Sequence, residues 1–475
     1  MENEPKSSLV SSTIWVSVAE LLFFPTGFIT IAFLLRKIGP DGYGLFALAS
    51  GLIAWIEWIM DSIFSNTTVK LISQSQSWQF IANGILKIQL SFSLAIFSCL
   101  ILLTPWISEL MHEPSLKPLL YLFALEIPLF NLAQLHQNIL EGIGNFNPRA
   151  MAISVRWLSR MFLIIFLVEL GMSVTGAIMG GLIAIILDLW ISRQYVRPSL
   201  FGVADFQFQK LLNYAVPLFI ATLCLRIDEK LDLFALKILG GSLEEIGLYA
   251  SAQNIALLGQ FIVPALVPIT ITTLTRIYQD QQIISTKQFI RNTFKIGFYH
   301  LPLAGIISVC SSEILSFLFG NTFDRAAPIL SVLIFSSISS MMIAVIISIL
   351  IGLNKPKWTF LIALPMPFLA FLGYWWLIPK YGSFGASIIH LVISIIACCI
   401  GFIVVYQFSG VSPPLLTFIR SSLVSVVVIL IAFMFPFSGF FLIIKLMFLT
   451  IISFIILLLW GEFNNFTLSF KDIRQ

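Results

Sequence analysis

Gly44-Leu45-Phe46-Ala47-Leu48-Ala49 and Gly247-Leu248-Tyr249-Ala250-Ser251-Ala252 are near copies of one another, 203 residues apart. Outward from this pair the correspondence continues. Ile143-Gly144-Asn145-Phe146-Asn147-Pro148-Arg149 matches Ile351-Gly352-Leu353-Asn354-Lys355-Pro356-Lys357 at an offset of 208, and Gly176-Ala177 matches Gly385-Ala386 at 209. Three landmarks in one order at nearly one spacing point to an internal duplication.

The solvent of each copy follows from composition. Of 475 residues, 58% are hydrophobic and 11% charged, where soluble domains carry roughly 25% charged residues. Most of the chain must therefore lie in lipid. Runs long enough to cross a bilayer, about 20 apolar residues each, fall near 9–35, 42–68, 84–107, 116–141, 150–169, 173–196, 209–237, 244–275, 289–311, 326–350, 357–379, 382–408, 414–435 and 437–461. Backbone groups in hydrocarbon need internal partners, so these runs should be helices. The alternating segments of a barrel are absent. The expected fold is an all-α polytopic membrane protein with about 14 transmembrane helices. The repeat holds six spans, an even number, so its copies run parallel across the membrane, a transporter arrangement. Residues 1–197 would form one six-helix lobe and 198–410 a second, around a central cavity. Residues 411–475 would add two helices and a tail.

Lys and Arg set the orientation. With the N-terminus inside, 18 of the 27 basic residues fall on the inner side and 6 on the outer. This bias places both termini in the cytoplasm. The start, through Ser8, lacks a basic n-region and a cleavage site, so the first apolar run reads as a retained span. A net charge of +4 without clustering gives no reason to expect a nucleic-acid partner. The five cysteines lie in apolar stretches without metal-ligand spacing and read as packing residues.

Ionisable groups inside the spans carry the functional signal. Each costs about 2.5–3.5 kcal/mol at a helix centre, so each marks a site or a buried partner. The seventh run holds Arg226, Asp228, Glu229, Lys230 and Asp232 within seven residues. Glu57 and Asp61 stand one turn apart in the second run. Arg156 and Arg160 stand one turn apart near the inner end of the fifth, and Glu20 sits in the first. Guanidinium forks suit phosphate oxygens. Arg226, Lys230, Arg156 and Arg160 are therefore the expected substrate-binding residues. Glu57, Asp61, Asp228, Asp232 and Glu20 are the expected sites of coupling to H+ or Na+. Glu126, His136, Asp188, His300 and His390 are single groups, and each lone histidine reads as a helix-to-helix hydrogen bond rather than a ligand, with His300, near mid-membrane, the first candidate for an exception. The alternative for these charges is internal salt bridging, and for Arg156 and Arg160, near a helix end, it is that they only enforce topology.

Ile38-Gly39-Pro40-Asp41-Gly42-Tyr43-Gly44-Leu45-Phe46-Ala47 resembles the first loop and second helix of the polysaccharide transport family. Arg226-Ile227-Asp228 through Gly240-Gly241 and Glu245-Ile246-Gly247-Leu248-Tyr249-Ala250 resembles its seventh and eighth helices. The turns from Gly144 to Arg149 and from Gly352 to Lys357 are similar too. That family belongs to the multidrug/oligosaccharidyl-lipid/polysaccharide flippase superfamily. The resemblance implies two six-helix lobes and alternating access. It implies a lipid-linked oligosaccharide on a polyprenyl pyrophosphate as substrate, flipped across the inner membrane for O-antigen, capsule or exopolysaccharide export. It also implies membrane lipid as surroundings, no cofactor, and a basic cavity residue that Arg226 would match. Two rivals stay open. One is an ion-coupled multidrug antiporter, which the net negative charge of the seventh run permits. The other is a membrane polymerase or ligase, which would call for a long outer loop that the sequence lacks.

Overall fold

The computed structural model describes residues 15–75, 77–202, 230–435, 439 and 441–462. Among them there is no strand, and nine helices are long and apolar enough to cross a membrane, or ten if one bent pair counts as a span. Three of the nine are double-length. Trp15–Ser73, Phe146–Tyr195 and Pro356–Ser409 are interrupted at Gly39, Gly171 and Gly382, whose backbones leave helical geometry. Each half still has enough residues for a bilayer of about 30 Å at 1.5 Å per residue.

The elements are therefore α1 (15–38), α2 (40–73), α3 (Trp78–Leu110), α4 (Leu116–Gly142), α5 (Phe146–Leu167) and α6 (Ser173–Tyr195). After the undescribed residues come α7 (Leu231–Ile238), α8 (Leu243–Gln279) and α9, which is Ile283–Val309 followed by Ser311–Phe319 at a bend of 68°. Then come α10 (Asn321–Gly352), α11 (356–381), α12 (383–409), α13 (Leu415–Met434) and α14 (Phe441–Leu459). Thirteen of the fourteen expected runs coincide with these elements. The remaining one, 209–237, lies largely outside the described residues.

The chain divides into two compact units, Met1–Arg226 and Ile227–Gln475. The backbone carries the duplication too. Left-handed residues pair in register: Gly39 with Gly240, His112 with Gly320, Gly144 with Asn354, and Gly171 with Gly382, at offsets of 201 to 211. Every pair marks a turn between successive helices. A tight reversal needs φ > 0 wherever the chain re-enters the membrane at once, so the turns keep their geometry where the intervening helix sequences have diverged.

Small residues set the closest helix contact in the first unit. Gly176, Gly180 and Ala184 repeat every four residues along α6 and are buried against α5. A Cβ on Gly180 would stand 2.7 Å from the backbone nitrogen of Ile164. In lipid, such close backbone approach replaces the hydrophobic drive of soluble packing. In the second unit α10 is central, packing on α8, α9 and α12. Its buried Ser336 meets His390 of α12, while Ser337 and Ser348 donate to carbonyls one turn back. The last helices pack on α9. They are fastened by Glu462, which accepts from Arg420 at 2.7 Å and from Thr417 at 2.8 Å, with Lys295 Nζ at 3.8 Å.

Candidate functional site

The first unit gathers ionisable side chains from four helices onto one interior face. On α2, Glu57 and Asp61 are one turn apart. On α4, Gln134, Gln137, Asn138 and Glu141 follow the i, i+3, i+4, i+7 spacing of a single stripe, with Glu126 two turns earlier. On α5, Arg149, Arg156 and Arg160 are spaced by seven and four, again one face. On α6, Asp188 completes the set. α2 packs on α4 and α5, and α6 packs on both of these, which brings the stripes together.

Asp188 is fully buried. It accepts from Gln137 Nε2 at 2.7 Å, from Ser192 Oγ at 3.2 Å and from Arg156 Nη1 at 3.4 Å. The Arg156 guanidinium also lies 4.9 Å from the Trp157 ring and 5.7 Å from Phe130, and that of Arg160 lies 6.0 Å from Trp157. Glu57 stands within electrostatic reach of Glu126, Arg160 and Arg156; Asp61 stands within reach of Arg156 and Glu141. One oxygen each of Glu57, Asp61 and Glu126 is buried without a hydrogen-bond partner among the described residues. Glu57, Asp61, Glu126 and Asp188 thus stand beside Arg156 and Arg160, with Glu141 and Arg149 nearer the helix ends, and three of these four carboxylates are incompletely satisfied. In a low-dielectric interior an unmatched carboxylate draws a proton or a cation to itself.

Depth separates this cluster from residues that only mark topology. Arg156 and Arg160 lie 10 and 14 residues past the start of α5 at Phe146, about 15 and 21 Å along its axis. Glu57 and Asp61 lie about 24 and 18 Å from the matching end of α2 at Ser73. The sequence puts the two arginines near a helix end because the apolar run begins at 150. The helix itself begins four residues earlier, with Pro148 in its first turn where a missing N–H costs nothing.

The other expected site residues fall elsewhere. Glu20 is exposed on α1 and meets Arg149 at 3.4 Å, which also reaches Glu141 at 3.2 Å. Arg226, Asp228 and Glu229 lie outside the described residues. Lys230 is half-buried at the entrance of α7. Asp232 is fully buried and accepts from Tyr249 Oη at 2.7 Å and Gln253 Nε2 at 3.0 Å, tying α7 to α8 through neutral donors. Two histidines depart from the sequence reading. His136 and His300 hydrogen-bond carbonyls of their own helices, Leu132 at 2.7 Å and Ile296 at 2.9 Å, and only His390 bridges two helices. A carbonyl one turn back is the nearest acceptor available to a ring in an apolar helix. Sequence reasoning left Gln137 and Asn138 out and took Glu126 and Asp188 as isolated. The four-residue polar stripe on α4 is the signal that could have joined them.

A family model described as "Polysaccharide biosynthesis protein" matches residues 9–271. A Shigella flexneri protein named "Putative O-antigen transporter" is 24% identical over 408 residues, covering 80% of this chain and 94% of that protein. Among solved structures, the lipid II flippase MurJ in an inward closed conformation superposes with a TM-score of 0.79 at 16% identity, covering 95% of this chain and 100% of that one. A multidrug-resistance MATE transporter of the MOP superfamily, inward-facing, gives 0.66 at 14% identity, covering 84% and 99%. At these identities the structural likenesses establish the fold.

Proposed function

The chain belongs to the polysaccharide biosynthesis protein family, and from that premise we propose that it is a flippase for a polyprenyl-pyrophosphate-linked oligosaccharide in a bacterial inner membrane, with both termini cytoplasmic. The observation that carries this reading is the pair Arg156 and Arg160, held deep in the first unit, about 15 and 21 Å along α5 from its start at Phe146. No acid lies within ion-pairing distance of Arg160 among the described residues, whereas Arg156 has Asp188. Arg160 therefore has the guanidinium edge free for a diphosphate, and Arg156 supports it. Arg226 and Lys230 are further candidate substrate-binding residues. Glu57, Asp61 and Asp228 are the candidate carriers of a coupling H+ or Na+, since the first two keep unpartnered oxygens. Asp232 anchors α7, and Glu20 belongs to the basic end of the first unit. The fold shared with a flippase and the relative named for O-antigen transport support the cargo assignment.

The test is reconstitution of the whole chain into vesicles holding a polyprenyl-diphosphate oligosaccharide, read by access of an added lectin. The intact protein should expose the sugar, and Arg160→Ala should abolish exposure at equal incorporation. Unchanged flipping in the double variant R160A/R226A would remove the cations from the mechanism. One observation favours a different cargo: Glu57, Asp61, Glu126 and Asp188 outnumber Arg156 and Arg160 in the first-unit cluster. Expulsion of a cationic dye from the same vesicles, without sugar exposure, would establish the antiporter instead.

A further inference from the structure

The second unit contains a cavity of 790 Å³ where α8, α9, α10 and α12 end. Its walls offer Tyr278, Gln279, Gln281, Lys287, Asn354 and Ser409, and no carboxylate among the described residues. Lys355 stands at its rim, its Nζ 5.4 Å from the Phe408 ring that forms part of the wall. Lys287 has no ion pair among the described residues. Gln281 and Asn354, both lining the cavity, are two of only four non-glycine residues with positive φ in the described chain.

The duplication offers a comparison for this space. In the first unit the corresponding place is filled by the chain itself. Beyond α6 the backbone folds back, and Val196 joins the buried cluster of Ile72, Ile85 and Leu135. The Ser199 amide donates to Asn83 Oδ1 at 2.6 Å, and Lys87 Nζ donates to the Gly202 carbonyl at 3.0 Å. At an offset of 204, inside the range of the repeat, Asn83 and Lys87 correspond to Lys287 and Arg291. In the second unit only residues 410–414 separate α12 from α13, and two of them are proline. Where the first unit has the neutral Asn83, whose oxygen accepts from the chain, the cavity thus has the Lys287 ammonium with no ion-pair partner among the described residues, which calls for an oxygen acceptor from outside the chain.

We propose that this cavity binds the phosphate headgroup of an anionic phospholipid from the leaflet on the basic, cytoplasmic side. Phosphate chemistry follows from the unmatched lysines and the amide and hydroxyl donors. A lipid rather than a soluble anion follows from the rim. Ile283 and Ile284 are 68% and 82% exposed at the first turn of α9, beside Lys287. Apolar residues one turn from a lysine place the acyl region and the headgroup at neighbouring levels.

The full chain, purified in detergent, is incubated with phosphatidylglycerol or phosphatidylcholine, and bound lipid is counted by native mass spectrometry. Phosphatidylglycerol should be retained selectively, and Lys287→Gln should weaken its retention about fivefold, the effect of one basic residue near an anionic lipid surface. Lys287→Arg should keep it. Ile284→Ser should weaken it while leaving the folded fraction unchanged, since that side chain touches little. Equal retention by K287Q and the unaltered protein would overturn the proposal. So would displacement of the lipid by excess inorganic phosphate, which would make the ligand a soluble anion.

Discussion

Arg156 is both a candidate ligand for the substrate and the charge partner of a sealed carboxylate, and the two roles can be separated. Arg156→Met leaves Asp188 with no exposed surface and no cation. Breaking a buried pair from one side costs about 3–5 kcal/mol. Gln137 at 2.7 Å and Ser192 at 3.2 Å remain to solvate the carboxylate, which places the loss at the lower end, about 3 kcal/mol. That figure includes about 0.5–1 kcal/mol for the contact with Trp157 at 4.9 Å. Asp188→Asn keeps the shape and removes the charge. The double variant R156M/D188N should therefore recover about 2 kcal/mol relative to R156M, a coupling within the range of contacting pairs. Equilibrium unfolding in mixed micelles measures the cycle. Lectin access in vesicles measures flipping by the same proteins. The refolded double variant should remain inactive, because its stability has been restored without its guanidinium. Additive stabilities would refute the pairing. A stable and fully active double variant would refute the ligand role.

Adjacent glycines on α6 should behave differently. Gly180→Ala drives a methyl into the backbone of Ile164 and should cost about 1–3 kcal/mol, whereas Gly181→Ala meets only Arg160 Nε at 4.0 Å and should be nearly neutral in the same unfolding assay. Among the interhelical turns, Gly171→Ala adds a methyl into open space at φ +89 and should cost about 1–2 kcal/mol. Gly382→Ala, at φ +54, also strikes the Glu245 carboxylate that accepts from the Ser383 amide at 3.0 Å, and should cost more than its counterpart. Beyond α14, burial pushes the Glu462 carboxyl up, but hydrogen bonds from Arg420 and Thr417 and the charge of Lys295 outweigh it and hold the group below its ordinary value. Its contribution to stability is therefore complete above about pH 4.3, the unfolded value, and is lost as pH falls through the lower folded value. Hydrogen exchange of α13 and α14 should rise in that acid window, and Glu462→Gln should remove the pH dependence.

The sequence determined the parts of this protein that a bilayer enforces locally. An apolar run of sufficient length in lipid has one outcome, a helix, because no water is present to take its backbone groups. That is why the apolar runs could be read as helices, although the start of the one near 150–169 came four residues late, and why repeated turns such as Gly144 to Arg149 and Gly352 to Lys357 exposed the duplication. The site was less legible. Glu57, Asp61, Arg156 and Arg160 announce themselves by cost, but their cost is the same whether they face water, substrate or one another. Only packing brought Asp188 of α6 beside Gln137 of α4 and Arg156 of α5, residues separated by up to 51 positions. Only packing sealed Asp232 behind Tyr249 and Gln253, and left the cavity at Lys287 open where its first-unit counterpart is filled. The physical reason is that hydrophobicity is a property of each residue and sums along the chain, whereas the partner of a buried charge is fixed by which helix faces meet.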